Sequence, residues 1–511
     1  GAVLTPLGGS NAVANGMALQ ADGKIVVGGA ASSPDSEPEA PAGDSFGPAL
    51  ARYLPNGTLD PSFGGGDGKV LDHYSIDGSQ IDAVAVQPDG KIVVAGGGNC
   101  CVSNLYVARY LPNGSRDPDF GDGGVRGIGL RPDAAHPTAL VLQPDGKILV
   151  SGWTSADDYE SFVARLTADG DRDATYGTAG VARLKLGSPP SGSSRNYGLT
   201  LDQGKAVVAG SLYAGDGETD LFVARLDDSG MLDPTFGDGG VVRGRAGNDD
   251  SYFANDVALW NGKLLLAGWR GPAWNMSRNY LLARFDAATG ALDPGFNATG
   301  TDPGYVFAGA GDGSPHGDAL ALDAPSGAIT VAGSADQDGV TKLMVARYLS
   351  DGSRDDAGFR SANGNVGARL IPVGDGVWRS WDRGIKVALD ASGKIVVAAT
   401  AIDQGRKEFA LVRLGDTPPK PNLRPVARIR GHHLVPRKHW VKFDGRGSFD
   451  RDGRIVDYAW RTGDRPFRSL GPVFWHRFGR PGLHRLDLRV TDDHGARSFA
   501  KFFVRVRKRG G

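Results

Sequence analysis

The sequence predicts an all-β protein. A seven-bladed β-propeller of four-stranded blades, closed by its N-terminal strand, is followed by an immunoglobulin-like β-sandwich. Three observations carry this expectation. A short-strand unit recurs seven times, with turn glycines at Gly23, Gly90, Gly146, Gly204, Gly262, Gly327 and Gly393 spaced by 67, 56, 58, 58, 65 and 66 residues. A period this long built from short strands marks a repeat architecture. The seventh copy is truncated, while an orphan strand opens the chain. Composition then changes after a Pro-rich stretch near residue 420.

The second unit shows the elements in order. Ile81–Val86 is an apolar strand, and Pro88-Asp89-Gly90 turns it, because Gly reaches positive φ cheaply. Lys91–Gly96 is a near-continuous apolar run, as expected of a strand covered on both faces. After a variable loop, Leu105–Tyr110 forms a third strand containing Arg109. The turn Pro112-Asn113-Gly114 leads to Asp117-Pro118-Asp119-Phe120-Gly121 and a weaker fourth strand from Gly124. Four strands repeated seven times is propeller arithmetic. The last unit stops after Arg413-Leu414-Gly415-Asp416, without a fourth strand. Residues 2–7 align with Gly68–Leu71, the fourth strand of the first unit, so they are expected to complete the seventh blade. Closure of this kind removes exposed strand edges.

The recurrent polar residues read as scaffold. Arg52, Arg109, Arg165, Arg225 and Arg347 are each followed eight residues later by an Asp, and Arg284 nine later by Asp293. Arg–carboxylate geometry favours pairing across the turn. Phe63, Phe120, Tyr176, Phe236, Phe296 and Phe359 follow as expected inter-blade plugs. Arg413 lacks the Asp and needs another partner. A feature present in six blades is not the signature of one active site.

Bulk properties bound the rest. No run of 18 apolar residues occurs, so no membrane-spanning helix is expected. The chain begins at Gly1 without Met, which fits a mature form whose signal peptide has been removed. The two cysteines, Cys100 and Cys101, are adjacent. They are either two loop thiols or a vicinal disulfide, which an oxidising compartment would permit. The net charge of −1 conceals an asymmetry: residues 421–511 hold 22 Lys+Arg against 8 Asp+Glu, and the preceding residues hold 35 against 50. Such a split suggests two domains with different partners.

The phrases QPDGKIVVAG and ARYLPNGSRDPDFG resemble the delta-60 repeat family of secreted bacterial proteins over residues 10–415. The resemblance implies an extracellular propeller-like array without an assigned activity. Units four to six depart from the pattern in the turn, with Gln203-Gly204, Asn261-Gly262 and Ser326-Gly327-Ala328. Residues 417–424 read as a stiff Pro-rich linker between a propeller over 1–416 and a sandwich over 425–511. In the latter, the run SFDRDGRIVDYAW, then PGLH and VTDDHG, resembles a PKD domain, an immunoglobulin-like module common in secreted microbial proteins. Some relatives bind calcium near the Asp-x-Asp-Gly turn, so Asp450 and Asp452, with Asn422, are candidate oxygen ligands. The alternative is that these carboxylates cap a turn. No other cofactor is expected.

Function should sit in loops that fail to repeat. The loops joining second to third strands, and those joining blades, share one face. They carry Trp153, Tyr159, Tyr213, Trp269, Trp274, Trp378 and Trp381, the lone loop-face His316, and acids such as Glu218, Asp250, Asp336 and Asp338. Exposed aromatics beside carboxylates suit stacking on sugar rings. The basic module, with Arg428, Arg430, Arg437, Lys438 and the tail from Arg505, would suit anionic polymers. Nucleic acid is not expected, since its stacking-platform motifs are lacking. The leading expectation is a monomeric secreted or surface-attached binding protein for a glycan, a cell-surface polymer or another protein. Alternatives are an extracellular polysaccharide lyase or glycosidase on the same face, and a purely structural surface component.

Overall fold

The structure, a computed structural model, describes residues 1–507 apart from 10, 33–45, 73–78, 99–104, 131–133, 156–158, 187–191, 214–217, 246–249, 273–277, 311–313, 356–358, 360–367, 379–383, 416–424, 451–453, 464 and 493–496. The chain divides into two compact units, Gly1–Thr417 and Pro418–Gly511. The expected linker, residues 417–424, lies outside the described residues.

The first unit is the predicted ring. Six blades are four-stranded antiparallel sheets with strands in chain order. In the third, Ala134–Leu142, Ile148–Ser155, Tyr159–Leu166 and Val181–Leu184 follow one another outward. The seventh blade takes Lys386–Leu389, Ile395–Asp403 and Arg406–Leu414 from its own unit, and its outer strand is Ala2–Thr5. Ala2 lies opposite Val412 and Thr5 opposite Phe409. A short extra strand, Gly376–Val377, pairs with Ile402 and Ala401.

Seven apolar clusters fill the spaces between neighbouring blades, one per space. The cluster between blades 2 and 3 packs Val93, Leu105 and Phe120 against Leu140, Ile148 and Phe162. The cluster that closes the circle packs Val396, Phe409 and Leu411 of blade 7 against Ala12, Val27 and Ala51 of blade 1. This division explains how so long a chain folds without one oversized core.

Each of the first six blades has a β-bulge in its innermost strand, where pairing skips one residue: Asn15, Asp82, Thr138, Tyr197, Asn255 and Asp318. Re-aimed by the bulge, these six side chains meet at the ring axis with Ile385 and Lys386 of blade 7. Asn15 donates to Ile81 O, Thr138 to Asn196 O and Asn255 to Gly317 O, each on the following blade. The cavity they leave is about 10 Å³, room for one water at most. The axis is plugged, which directs attention to the rims and loops.

The second unit has a five-stranded sheet, ordered Leu434–Pro436, Arg497–Arg507, Gly482–Asp492, Ile455–Thr462 and Arg468–Ser469. A two-stranded sheet, Trp440–Asp444 with Val473–Arg477, forms the other layer. Alternate residues face inward, so Phe443, Trp460, Phe478, Leu486, Leu488, Phe502 and Val504 make one core. The Trp460 indole N–H donates to Gly471 O at 2.9 Å.

Candidate functional site

The repeated Arg is a latch. Arg109 Nε–H lies 2.6 Å from Asp117 Oδ2, its Nη1 donates to Ala168 O of the next blade at 2.7 Å, and its guanidinium covers the Phe120 ring at 4.7 Å. Arg52, Arg165, Arg225 and Arg284 repeat the arrangement, donating to Pro112, Asp228, Ala287 and Ser350 of the following blade. Arg413 pairs instead with Asp390 from the turn of its own blade and donates to Pro55 O of blade 1. The ring is thereby closed by the same device that joins its members.

Sequence reasoning missed one participant. The Lys after the turn Gly also reaches the latch Asp: Lys24–Asp60 is 3.3 Å, Lys91–Asp117 3.0 Å, Lys147–Asp173 3.1 Å and Lys205–Asp233 2.8 Å. The recurrence of this Lys after the turn Gly in six units, all but the sixth, was the available signal. Burial alone would raise the Asp60 carboxyl. Hydrogen bonds from Ser62 and Lys24 and the Arg52 charge outweigh it and hold the group at about 2. Hydrogen bonds from Lys205 and Thr235 depress Asp233 in the same way. These buried charges are committed to the scaffold.

The loop-face aromatics form separate clusters, each capped by a cation. Between blades 3 and 4, Trp153 stacks on His136 at 4.0 Å, meets the edge of Tyr159 at 5.4 Å and has Arg195 at 5.0 Å. Arg195 also lies 3.6 Å from the Tyr159 ring centre. Between blades 5 and 6, Trp269 is sandwiched by Phe253 at 4.0 Å and Arg278 at 4.0 Å, with His316 stacked at 5.5 Å. In blade 7, Lys407 Nζ sits 3.3 Å from the Trp378 ring centre, and burial pushes its ammonium pKa below the usual lysine range.

This differs from the expectation of open stacking platforms. Trp153 is 8 % exposed and Trp269 9 %, because neighbouring rings and cations already cover their faces. His316 is buried, and Arg278, which can only donate, lies 2.9 Å from its Nε2. That ring nitrogen is therefore an acceptor engaged inside the protein. Tyr213 is half-buried at a strand end. Tyr159 and Trp378 remain exposed. Three of the loop acids are engaged within the protein: Glu218 accepts from Ser251 at 2.8 Å, Asp250 faces Arg270 at 3.9 Å and Asp336 accepts from Thr341 at 2.7 Å, whereas Asp338, 4.0 Å from Lys342, keeps its side chain 85 % exposed.

Trp274, Trp381, Asn422, Asp452, Cys100 and Cys101 lie outside the described residues. Asp450 is half-buried. Among the described residues no group of three or more His, Cys, Asp and Glu is disposed to hold a metal ion.

Two further features escaped the sequence. A groove of about 360 Å³ between blades 5 and 6 is lined by Arg270, Asn297, Asp302, Phe307, Tyr348 and Arg354, among others. It exists because the segment Phe296–Tyr305 is four residues longer than its counterpart Phe120–Val125. The second feature is in the C-terminal unit, where Trp440 and Trp475 are 66 % and 55 % exposed. Of the predicted basic surface there, Arg428, Arg430, Arg437, Lys438, Arg505 and Arg507 are exposed.

Comparison with known families agrees with both halves of this description. Residues 422–506 match the PKD domain, and residues 20–63, 87–120, 143–176, 204–236 and 324–357 match DUF5122, a β-propeller domain of unknown function. The chain thus carries DUF5122 propeller repeats, which are delta-60-like, and a PKD domain. The matched segments omit units five and seven. Over 87 residues the chain is 36 % identical to collagenase ColQ1 of Bacillus cereus, covering 17 % of this chain and 9 % of the collagenase. It therefore spans less than a tenth of that relative. Among solved structures, the PKD1 domain of Vibrio anguillarum Epp is 29 % identical, covering 17 % of this chain and 98 % of that one, with a TM-score of 0.15. A protein of unknown function from Dyadobacter fermentans is 12 % identical, covering 81 % and 97 %, with a TM-score of 0.43.

Proposed function

We propose that this protein is an extracellular binding protein. Its propeller presents a glycan or protein ligand with aromatic–cation clusters on the loop face, and its basic PKD domain holds it to anionic surface polymers. The observation that carries the reading is the exposed ring of Tyr159 against Arg195, at the mouth between blades 3 and 4. A ring presented beside a fixed cation offers a stacking face and a donor together. Trp378 beside Lys407 repeats this in blade 7. The plugged axis leaves the rim and loops as the surfaces where a ligand can rest. Similarity to part of a collagenase, an enzyme named for an extracellular polymer, supports an extracellular setting.

A glycan array probed with the full chain, followed by product analysis on every ligand found, tests this. The expected result is binding without turnover that weakens in Tyr159→Ala or Trp378→Ala. Binding indifferent to both changes rejects the loop-face site, and product release rejects the non-catalytic reading.

A further inference from the structure

The two most exposed tryptophans of the described chain lie on the outward face of the two-stranded sheet in the PKD domain. Their register is informative. Trp440 lies opposite Arg477, and Lys442 lies opposite Trp475. Side chains two apart on a strand share a face. Indoles therefore occupy one diagonal of a four-residue checkerboard and cations occupy the other. Diagonal neighbours on an antiparallel pair stand about 7–8 Å apart, so two rings of one flat polymer can each lie on an indole.

Burial statistics make an exposed large apolar group the informative kind of surface residue. The inward side of the same strands shows that apolar packing is already complete, since Val441 and Phe443 are buried in the domain core. Arg477 is held by its Nε–H donating to Lys438 O at 2.8 Å, which fixes the guanidinium beside the indoles. The carboxylate on this face, Asp444, is clamped by Arg446 at 2.6 Å. The net field at the face is positive, with Arg437 and Lys438 exposed at its end. The opposite, five-stranded sheet also exposes Phe499 and Phe503, but interleaves its cations with paired carboxylates: Arg461–Asp487 at 2.7 Å and Arg489–Asp457 at 3.4 Å.

We propose that the Trp440–Lys442–Trp475–Arg477 face binds a linear acidic polysaccharide, with the indoles stacking on sugar rings and the two cations pairing with carboxylate or sulfate groups. This rests on the reading of the PKD domain as an anchor to anionic polymers, and supplies its surface and ligand class. A neutral polymer would leave Lys442 and Arg477 unanswered, and a small anion would leave the indoles bare. The combination fits a ligand that is both flat and charged.

Affinity electrophoresis of the full chain through gels containing polygalacturonate, dextran sulfate or neutral dextran tests the proposal. Retardation by a polyanion and not by dextran is expected, and the polymer that retards identifies carboxylate or sulfate as the partner group. Trp440→Ala/Trp475→Ala should weaken binding by about tenfold or more with the thermal transition unmoved. Lys442→Ser/Arg477→Ser should shift release to lower salt, as expected for lost charge pairs. Phe503→Ala/Arg505→Ser, on the other sheet, should bind as the parent does. If the tryptophan pair is dispensable and the Phe503/Arg505 pair is required, this face is wrong while the anchoring reading survives. If neither polyanion retards the parent chain, both fall. Equal retardation by dextran, or capture by a gelatin column that depends on the tryptophans, overturns the acidic-polysaccharide assignment.

Discussion

The inner stacks of the propeller and the two-stranded sheet of the PKD domain both set cations beside aromatic rings, but they do so with opposite exposure. In the propeller, Arg109 over Phe120 and Arg278 over Trp269 are packing: the ring is covered and the cation already has a carboxylate, carbonyl or imidazole to answer it. On the two-stranded sheet of the PKD domain, Trp440 and Trp475 stand open with cations beside them in register. A cation near a ring is therefore no evidence of a binding site by itself. What separates scaffold from site is whether either group still has a face to offer.

The strongest way to break this comparison is to attack a latch. Arg109→Ala leaves Asp117 charged and buried beside Lys91 alone, and should cost about 3–5 kcal/mol, read as a lowered propeller transition in calorimetry. Arg109→Lys should recover little of this, since one ammonium cannot reproduce the bonds to Asp117 and Ala168. A propeller as stable as the parent would show the latch to be ornamental. Next, Trp269→Ala should cost about 3 kcal/mol or more as a cavity in a packed stack, measured by denaturant titration. A loss near zero would mean the ring is closer to the open state of Trp475.

A glycine pair sharpens the account of the latch. Gly170 has φ of +90°, and a Cβ there would lie 2.7 Å from the Phe120 ring. Gly90 has φ of +84°, and its nearest neighbour would be at 3.5 Å. Gly170→Ala should therefore destabilise by about 2–3 kcal/mol and Gly90→Ala by about 1 kcal/mol, compared by urea midpoint. Equal losses would show that backbone strain alone matters and that the plug does not.

Acid should separate the two units as well. Asp60 is held at about 2, below the ordinary Asp value of about 3.9, and Asp117, Asp173, Asp233 and Asp293 shift the same way. A depressed folded-state pKa gives stability that is present above the unfolded value and lost as pH falls through the folded one. The propeller transition should drop between about pH 4 and pH 2. The PKD transition should move less, because the partner of Asp444, Arg446, is exposed and screened. Parallel loss in both would sink the claim that buried latches dominate. The smallest effect is on the open ring: Trp475→Ala should change stability by no more than about 0.5 kcal/mol, by the same calorimetry.

Much of the fold was legible because it recurs. Repetition exposed the Gly turns and the Arg–Asp pairs, and truncation of the seventh unit pointed to residues 2–7, of which Ala2–Thr5 form the strand. The clusters were not legible, because Arg195 caps Tyr159 from a neighbouring blade and Phe253 meets Trp269 only through strand register. Loop position alone therefore did not reveal that Trp153 and Trp269 are covered. Trp440 and Trp475 were overlooked for the same reason, since their strands are 29 residues or more apart in sequence and their pairing fixes the checkerboard. In the PKD domain, burial near Phe474 and Phe478, with Arg465 and His484 nearby, pushes the His476 imidazole below the usual histidine range.

The strand Ala2–Thr5 imposes an order of events on folding. Its partner, Arg406–Leu414, is some four hundred positions later in the chain. During synthesis or export from the N-terminal end, the first strand of the propeller is thus the last to be paired. Until then blade 7 has an open edge and blade 1 lacks one neighbour. Loop closure over such a span is slow to be rewarded, so the completed ring forms late, when nearly all of this unit is present. Deletion of Ala2–Thr5 would unfasten the ring at the edge of Arg406–Leu414.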